Sequence, residues 1–162
     1  MPIYKLSQTQ VIHSTLEEVW DFISNPKNLK EITPDYMGFD IISQNLEERI
    51  YPGMIIIYKV KPLLGIKLTW VTEITHVDEL RYFVDEQRFG PYAFWHHEHF
   101  IELHDEGVLM RDAVSYKPPF GWIGHIANRL FLRKQLEKIF AYRRIILERR
   151  FAENKQHSRK EP

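Results

Sequence analysis

The sequence predicts an α+β fold in which a curved antiparallel sheet of seven strands wraps around one long C-terminal helix. Three observations support this architecture: a first strand precedes two short helical segments, six strands separated by short turns follow, and an apolar stripe with helical spacing runs through residues 123–151. Short turns join consecutive strands in antiparallel order. A helix of that length, about 40 Å, needs a concave partner, which a curved sheet supplies.

The first strand is predicted over residues 3–13, where the side chains alternate between two faces. Ser14 or Thr15 can cap the helix that follows, whose first turn is acidic and therefore favourable against the helix dipole. Pro26 ends this helix and can start a second one, which stops before Pro34. The two short helices therefore come directly after the first strand.

Six further strands are predicted from the β-type composition that begins near residue 38. Their expected bounds are 39–44, 54–61, 67–77, 81–88, 94–104 and 108–117. The turn signals between them are Pro52-Gly53, residues 62–65, Gly90-Pro91 and residues 105–107. With the first strand, this makes a sheet of seven strands.

The closing helix is predicted over residues 123–151. Its apolar stripe consists of Ile126, Leu130, Leu136, Phe140 and Leu147. Arg129 and Arg143 are separated by nearly four turns, so both are expected on the side of this stripe. Residues 152–162 are polar and are expected to form a flexible tail. Without a linker or an internal repeat, residues 1–151 are expected to form a single ligand-binding domain.

Composition excludes several classes of protein. The chain of 162 residues has no cysteine, which excludes a disulfide framework, a thiolate nucleophile and a cysteine zinc site. No segment has the apolar length of a signal-peptide core or a membrane span, so we expect a cytoplasmic protein without integral membrane association. Residues 129–161 hold 11 Lys and Arg against 4 Asp and Glu. No nucleic-acid-binding motif accompanies this charge, and nucleic acid is not an expected partner.

Three stretches of the sequence, together with the order of elements, resemble the START-like or SRPBCC superfamily, in particular a bacterial branch of it. They are STLEEVWDFISNPKNLKEITP, FVDEQRFGPYAFWHHEHF and MRDAVSYKPP, and the resemblance covers about residues 3–151. It implies a helix-grip fold with a cavity for a hydrophobic ligand between the sheet and the long helix. The superfamily includes lipid-transfer, polyketide cyclase-like and allergen proteins, so the resemblance does not imply one activity. Some members need no cofactor, and none is expected here.

Polar side chains share the predicted inner face of three neighbouring strands. Strand alternation puts Trp95, His97 and His99 on the face that ends in Ile101 and Leu103, which we take as inward. If the neighbouring strands are in phase, the polar residues that face the cavity are Asp85, Gln87, His97, His99, Asp112 and Tyr116. A carboxylate opposite a histidine orients the ring and raises its pKa, as acid–base chemistry requires. His97, His99 and Asp112 are therefore the candidate catalytic residues.

Three interpretations of these polar residues stay open: they satisfy one another and set the sheet register, they orient a ligand, or they catalyse a reaction. A metal is not expected, because a closed site needs two ligands besides His97 and His99, and only Asp85 or Asp112 is available. Arg143 can pair with one of these aspartates or bind a ligand carboxylate. Alternatively, its guanidinium reaches water while its stem covers the sheet edge.

Two functional hypotheses from different classes follow. The first is a binding module for a lipid, polyketide-like or aromatic molecule. Its pocket is expected to be lined by Tyr58, Trp70, Trp95, Tyr116 and Phe140, with Asp85, Gln87 and Arg143 as polar contacts. The alternative is a cofactor-free cyclase, dehydratase or hydrolase that uses His97 or His99 with Asp112, and in which Arg143 stabilises an anion. The chain lacks a Gly-x-Ser-x-Gly elbow, a P-loop and a dinucleotide fingerprint, so acyl-enzyme, nucleotide and NAD chemistry have no support.

A third class, an interaction protein whose basic helix docks on an acidic partner, depends only on the uneven distribution of charge. The sequence leaves the identity of the ligand and the oligomeric state open.

Overall fold

The computed structural model of the chain describes residues 2–61 and 65–158. The strands are β1 (Tyr4–Ile12), β2 (Asp40–Ile41), β3 (Ile55–Val60), β4 (Leu68–Asp78), β5 (Tyr82–Phe89), β6 (Phe94–His104) and β7 (Gly107–Lys117). The α-helices are α1 (Leu16–Ile23), α2 (Gly121–Ala127) and α3 (Arg133–Ser158). Two 3₁₀ turns, Pro26–Lys30 and Asp35–Met37, follow α1, and a π-helical turn, Asn128–Leu132, joins α2 to α3.

The seven strands form one sheet in the order β1-β7-β6-β5-β4-β3-β2. Every neighbouring pair is antiparallel, and strands that follow one another from β2 to β7 lie side by side. The exception is β1, which pairs with β7 at the edge of the sheet. The predicted α+β fold, with seven antiparallel strands and a long C-terminal helix, is confirmed.

The core lies between the concave face of the sheet and the helices. Alternate residues of β6 and β7 are buried, as the two-residue period of a strand requires when one face is covered. The helix α3 contributes Leu136, Phe140, Leu147 and Phe151 to the same cluster. Full burial of one such side chain contributes about 1.5–3 kcal/mol, so this face fixes the helix across the sheet.

Local sequence explains where α1 begins. Thr15 is the capping residue: its side chain accepts a hydrogen bond from the backbone N–H of Glu18, and the Glu18 carboxylate accepts one from the backbone N–H of Thr15. This reciprocal pair satisfies two donors that a helix start leaves without partners. Ser14 also contributes, because its hydroxyl donates to the Glu18 carboxylate.

Two of the predicted elements are shorter or different in type. The strand expected over 39–44 has only two residues in β2, because the Ser43 hydroxyl accepts the backbone N–H of Ile57 at 2.7 Å and replaces a ladder partner. The second helix is a 3₁₀ turn rather than an α-helix. Its start at Pro26 agrees with the prediction, and Asn25 caps it through a bond from the N–H of Lys27.

The closing helical segment starts at Gly121 and runs without interruption to Ser158, but the π-helical turn changes its phase. Leu136, Phe140 and Leu147 are buried, whereas Ile126 and Leu130 are exposed. A π turn inserts extra backbone into one turn of the helix, so residues before it rotate relative to those after it. The expectation that Ile126, Leu130 and Arg129 lie on the inner side with Leu136 is therefore wrong, and Arg129 is exposed.

Two expectations concern residues outside the described part of the chain. Residues 62–64 of the predicted turn are not described, and neither are residues 159–162 of the predicted tail. The backbone of α3 continues past residue 151 as far as Ser158. Within the described residues, no helix combines the length and the apolar character needed to cross a membrane.

Candidate functional site

A cavity of about 150 Å³ lies between the concave face of the sheet, α3 and the segment after α1. Side chains from β3, β4, β5, β6 and β7 form its sheet wall, and Gln135, Leu136, Ile139, Phe140 and Arg143 form its helix wall. Most of the lining is apolar. The polar lining residues on the sheet are Tyr58, Thr72, Asp85, His97 and His99.

Aromatic rings from neighbouring strands make one side of the cavity. Trp70 on β4 contacts Trp95 edge to face, with ring centroids 5.2 Å apart, and stacks on Tyr58 of β3 at 5.8 Å. Tyr92, in the turn before β6, packs against Trp95 at 4.9 Å. Such contacts add to the burial energy of the rings and hold them rigid. The result is a preformed aromatic wall.

One polar atom of this wall has no partner in the described part of the chain. The indole nitrogen Nε1 of Trp70 is buried and donates no hydrogen bond there. A buried donor left without an acceptor costs about 1–3 kcal/mol, and such groups are rare in native structures. The Tyr58 hydroxyl, by contrast, bonds to the Thr72 hydroxyl at 2.8 Å.

Beside the aromatic wall lies a group of five side chains that we name the polar cluster: Asp85, His97, His99, Asp112 and Arg143. The strand register brings four of them together, because Asp85 on β5 is opposite His97, and His99 on β6 is opposite Asp112 of β7. His97, His99, Asp112 and Arg143 are buried. The Asp85 side chain is only 16% exposed.

Each histidine of the polar cluster lies between the same two carboxylates. His97 hydrogen-bonds through Nε2 to Asp112 Oδ1 at 3.2 Å, and its Nδ1 lies 3.3 Å from Asp85 Oδ2. His99 hydrogen-bonds through Nε2 to Asp85 Oδ2 at 2.8 Å, and its Nδ1 lies 2.7 Å from Asp112 Oδ1. The two imidazole rings are in contact, with centroids 3.7 Å apart. Each of the two carboxylates therefore contacts both imidazole rings through a single oxygen atom.

Arg143 reaches the polar cluster from α3. Its Nη1 lies 3.3 Å from Asp112 Oδ1, and its guanidinium carbon lies 5.6 Å from the centre of the Phe140 ring. The side chain is buried, so its charge pairs inward and does not reach water. Asp112 is thus held by three donors behind the cavity wall, whereas Asp85 lines the cavity.

Burial and pairing act against each other in setting the pKa values of these groups. Burial raises the pKa of Asp112, but Arg143 and the two histidines outweigh this and hold that pKa well below its usual range. For Asp85, burial again opposes ionisation, and His97 and His99 together lower its pKa. Burial lowers the pKa of His99, yet Asp112 and Asp85 raise it on balance. Both carboxylates are therefore ionised at neutral pH.

The structure brings most of the expected site residues together. Tyr58, Trp70, Asp85, Trp95, His97, His99, Phe140 and Arg143 all line the cavity. Three expected residues lie outside its lining: Asp112, Gln87 and Tyr116. The candidate catalytic Asp112 lies behind the wall, beside His97, His99 and Arg143. The Gln87 amide is held by the following turn, donating to the carbonyl of Tyr92 and accepting its N–H. Tyr116 is fully buried and donates its hydroxyl to Asn128 in the π-helical turn at 2.9 Å.

Other lining residues were not expected from the sequence. Tyr92 lies in an irregular turn, where no periodic pattern indicates a direction. Phe83 is two residues before Asp85 on β5 and stacks on His99 with ring centroids 4.1 Å apart. Strand alternation gives Phe83 the same face as Asp85, and the same rule applied to β4 could have found Thr72, which lies two residues after Trp70.

No protein-family model matches the chain, and no curated protein matches it in sequence. Solved structures do match. A START superfamily protein from Mycobacterium smegmatis has a TM-score of 0.68 and 14% identity, covering 92% of this chain and 97% of that one. A Thermus thermophilus protein has a TM-score of 0.64 and 16% identity, covering 94% and 99%. A Nitrosomonas europaea protein has a TM-score of 0.63 and 11% identity, covering 91% and 96%. At these identities the likeness is one of fold, and the fold is START-like.

Proposed function

We propose that this START-like fold binds a small, largely apolar molecule that carries a hydrogen-bond acceptor, in the cavity between the sheet and α3. The observation that carries the proposal is the unpaired indole N–H of Trp70 in an otherwise apolar, aromatic wall. A ligand oxygen that accepts this N–H removes the cost of a buried donor without a partner. The preformed rings supply the contact area, as ligand sites generally do.

The size of the cavity limits the ligand. Sites for drug-sized ligands have volumes of about 300–1,000 Å³, whereas a cavity near 150 Å³ accommodates a molecule of about the size of benzene. The cavity here is of the smaller kind, at about 150 Å³. We therefore favour a single-ring aromatic or a short-chain molecule over a complete lipid.

The polar cluster gives this ligand a direction. Asp85, His97 and His99 line one region of the cavity, and the remaining lining is mostly apolar. A hydrogen-bond donor of the ligand is most stable beside the ionised Asp85 carboxylate, whereas its acceptor is most stable beside the Trp70 N–H. The absence of cysteine from the chain fits a reducing compartment, and a cytoplasmic location belongs to this proposal.

A pair of matched probes tests the proposal. Acetophenone carries a carbonyl acceptor, and ethylbenzene has nearly the same shape without one. We expect both to quench the tryptophan fluorescence, with acetophenone binding more tightly. Trp70→Phe keeps an aromatic ring but removes the N–H, and should weaken acetophenone binding about 5- to 30-fold, the equivalent of one hydrogen bond, while changing ethylbenzene binding much less.

Trp122→Phe is the control, because Trp122 is exposed and lies outside the cavity lining. If neither probe binds, or if Trp70→Phe and Trp122→Phe change binding equally, the proposed ligand site is wrong. Native mass spectrometry of gently purified protein gives an independent check, since a co-purified molecule of low mass supports the size argument and a long-chain lipid contradicts it.

The second candidate is a cofactor-free cyclase, dehydratase or hydrolase, favoured by the two buried carboxylate–histidine pairs at the cavity wall. In this scheme His97 or His99 exchanges a proton with the ligand and Asp112 stabilises the imidazolium form. A co-purified mixture of related precursor and product would support it. Asp112→Asn, which removes the charge and keeps the shape, should then lower turnover while leaving ligand binding measurable. Equal turnover in this variant and the parent would rule out the acid–base scheme.

A further inference from the structure

We propose that Asp85, His97 and His99 form a binding site for one divalent transition-metal ion, with open coordination positions toward the cavity. This inference goes beyond the ligand-binding function and does not depend on it. The three residues each offer one ligand atom, and these atoms all lie within 4.8 Å of one another. They also line the cavity, so an ion bound among them is within reach of a small molecule.

The spacing of the donor atoms fits a coordination sphere. Two ligand atoms that lie about 2.1 Å from one ion, at angles of about 90° to 110°, are about 3.0 to 3.4 Å apart. Asp85 Oδ2 lies 3.3 Å from His97 Nδ1 and 2.8 Å from His99 Nε2. An ion can therefore enter after small movements of the side chains.

The opposite nitrogens of the two rings also fit a metal site. His97 Nε2 and His99 Nδ1 both lie beside Asp112 Oδ1, at 3.2 and 2.7 Å. Histidines that bind metals usually donate their other N–H to a carboxylate, which fixes the tautomer and the ring orientation. Asp112 occupies that position for both rings, and Arg143 holds Asp112 from behind at 3.3 Å.

The same arrangement leaves three acceptors facing one another. When each ring donates to Asp112, its second nitrogen presents a lone pair to Asp85, whose carboxylate is itself an acceptor. Such a convergence needs a positive charge between the atoms, either protons or a metal ion. A divalent ion satisfies all three atoms at once, whereas a proton bridges only two.

From the sequence we expected no metal, because a closed site needs four ligands. An open site needs only three protein ligands, because a water or a substrate takes the remaining positions. Two histidines and one carboxylate with open positions are typical of sites for Fe²⁺, and imidazole also suits Zn²⁺. We therefore revise that expectation for this chain.

The test is a titration of chelator-treated protein with Zn²⁺, followed by calorimetry, without any organic ligand. We expect one equivalent to bind tightly, and His99→Gln and Asp85→Asn each to weaken that binding by about 100-fold or more. His96→Gln is the matched control: His96 is on the same strand but pairs with Glu86 at 2.8 Å, outside the cavity lining. It should bind Zn²⁺ like the parent protein. Asp112→Asn, which alters the outer contacts only, should weaken binding about 10- to 100-fold.

Circular dichroism of each variant separates loss of metal from loss of fold, and Asp85→Asn, a nearly isosteric change of the least buried member, serves if His99→Gln does not fold. Binding that survives in both Asp85→Asn and His99→Gln, or that falls equally in His96→Gln, overturns the proposal. So does the absence of stoichiometric binding in the parent protein. The acetophenone titration is performed without metal, so either proposal can fail without the other.

A second inference comes from a different observation, on the outside of the closing helical segment. Six large apolar side chains there are exposed, and we name them the apolar helix face: Phe120, Trp122, Ile123, Ile126, Leu130 and Phe131. Trp122, Ile126 and Leu130 recur every four residues, which places them on one side of the helix. The exposed fraction is 81% for Phe120, 67% for Trp122 and 65% for Leu130, so the fold itself does not cover this face.

The positive charge around the apolar helix face indicates what kind of surface could cover it. Residues 113–136 contain four basic residues, Lys117, Arg129, Arg133 and Lys134, and no acidic residue; Glu137, the next residue, pairs with Arg133 at 3.0 Å. Arg129, Arg133 and Lys134 are exposed. Exposed aromatic and aliphatic side chains flanked by Lys and Arg are typical of helices that lie in the surface of an anionic bilayer. We infer that the apolar helix face docks on a membrane rich in anionic phospholipid.

Vesicle flotation tests this inference, with one set of vesicles of phosphatidylcholine and phosphatidylglycerol and one of phosphatidylcholine alone. We expect the protein to float only with the first set, and Trp122→Ala with Leu130→Ala to reduce binding at least about 10-fold. Phe89→Ala is the control, because Phe89 is equally exposed at 65% but lies at the end of β5. No flotation with anionic vesicles, or a dimer in light scattering that the double variant dissociates without any vesicle binding, overturns the inference.

Discussion

The polar cluster and the apolar helix face distribute side chains in opposite ways. The polar cluster puts four ionisable side chains and one partly exposed carboxylate beneath the protein surface, whereas the apolar helix face puts tryptophan, phenylalanine and leucine into water. Each arrangement is costly if nothing compensates for it: burial of a charge without a partner and exposure of a contiguous apolar patch both lower solubility or stability. The two regions differ in where the compensation lies.

In the polar cluster the compensation is internal and visible. His97, His99 and Arg143 each have a nitrogen within 3.3 Å of Asp112 Oδ1, and both histidines have one within 3.3 Å of Asp85 Oδ2. In the apolar helix face it is external, because within the described residues no element covers these side chains. The polar cluster is therefore stabilised by its own ion pairs, whereas the apolar helix face would be covered only by the docking proposed above. Substitutions in the polar cluster should therefore lower the stability of the metal-free protein, whereas substitutions on the apolar helix face should leave it nearly unchanged.

The largest effect is expected for Asp112→Ala. This change leaves Arg143 as a buried cation without its counter-charge, and breaking one side of a buried ion pair costs about 3–5 kcal/mol. Urea denaturation of metal-free protein measures the loss in the free energy of unfolding. Glu86→Gln is the control, because Glu86 pairs with His96 and Arg88 at part-exposed positions, where ion pairs contribute about 0–1 kcal/mol. Equal losses in the two variants would contradict an internally compensated cluster.

A smaller effect is expected for Tyr116→Phe, where β7 meets the π-helical turn. The Tyr116 hydroxyl donates to Asn128, which is buried in the π-helical turn. Its removal leaves a buried amide oxygen without its donor, at a cost of about 1–3 kcal/mol. Urea denaturation gives the magnitude, and hydrogen exchange shows whether amides of residues 128–132 lose protection first. Uniform loss of protection would mean that this hydrogen bond does not fix the π turn.

Much of the fold could be predicted from the sequence because strands and turns are local. The bounds of β6 agree with the prediction, and those of β3, β4, β5 and β7 differ from it by at most one residue at each end. Thr15 and Pro26 mark their helix starts through local chemistry. Strand alternation also predicts that Trp95, His97 and His99 share a face, since it depends only on the two-residue period.

The sequence could not predict features that depend on contacts between distant elements. The π turn forms where Asn128 meets Tyr116 of β7, and helical periodicity alone extends the apolar stripe through Ile126 and Leu130 to the wrong side. Both histidines contact Asp112 Oδ1 only because of their side-chain rotamers and because of the register between β5 and β6 and between β6 and β7. Strand alternation gives Gln87 the same face as Asp85, but the turn after β5 holds its amide, and alternation does not predict contacts within a turn.

The smallest effect on stability is expected for Leu130→Ser, on the apolar helix face. Leu130 is 65% exposed, so the substitution removes little buried area, and we expect the free energy of unfolding to change by at most about 0.5 kcal/mol. Leu136→Ser, on the buried side of the same helical segment, is the matched comparison and should cost several times more, because Leu136 is only 3% exposed. Urea denaturation of both variants tests which side of the helical segment faces the core, because only a substitution on the core side leaves a cavity and a buried polar group. A large loss in Leu130→Ser would therefore place that side chain in the core and remove the basis for a docking face.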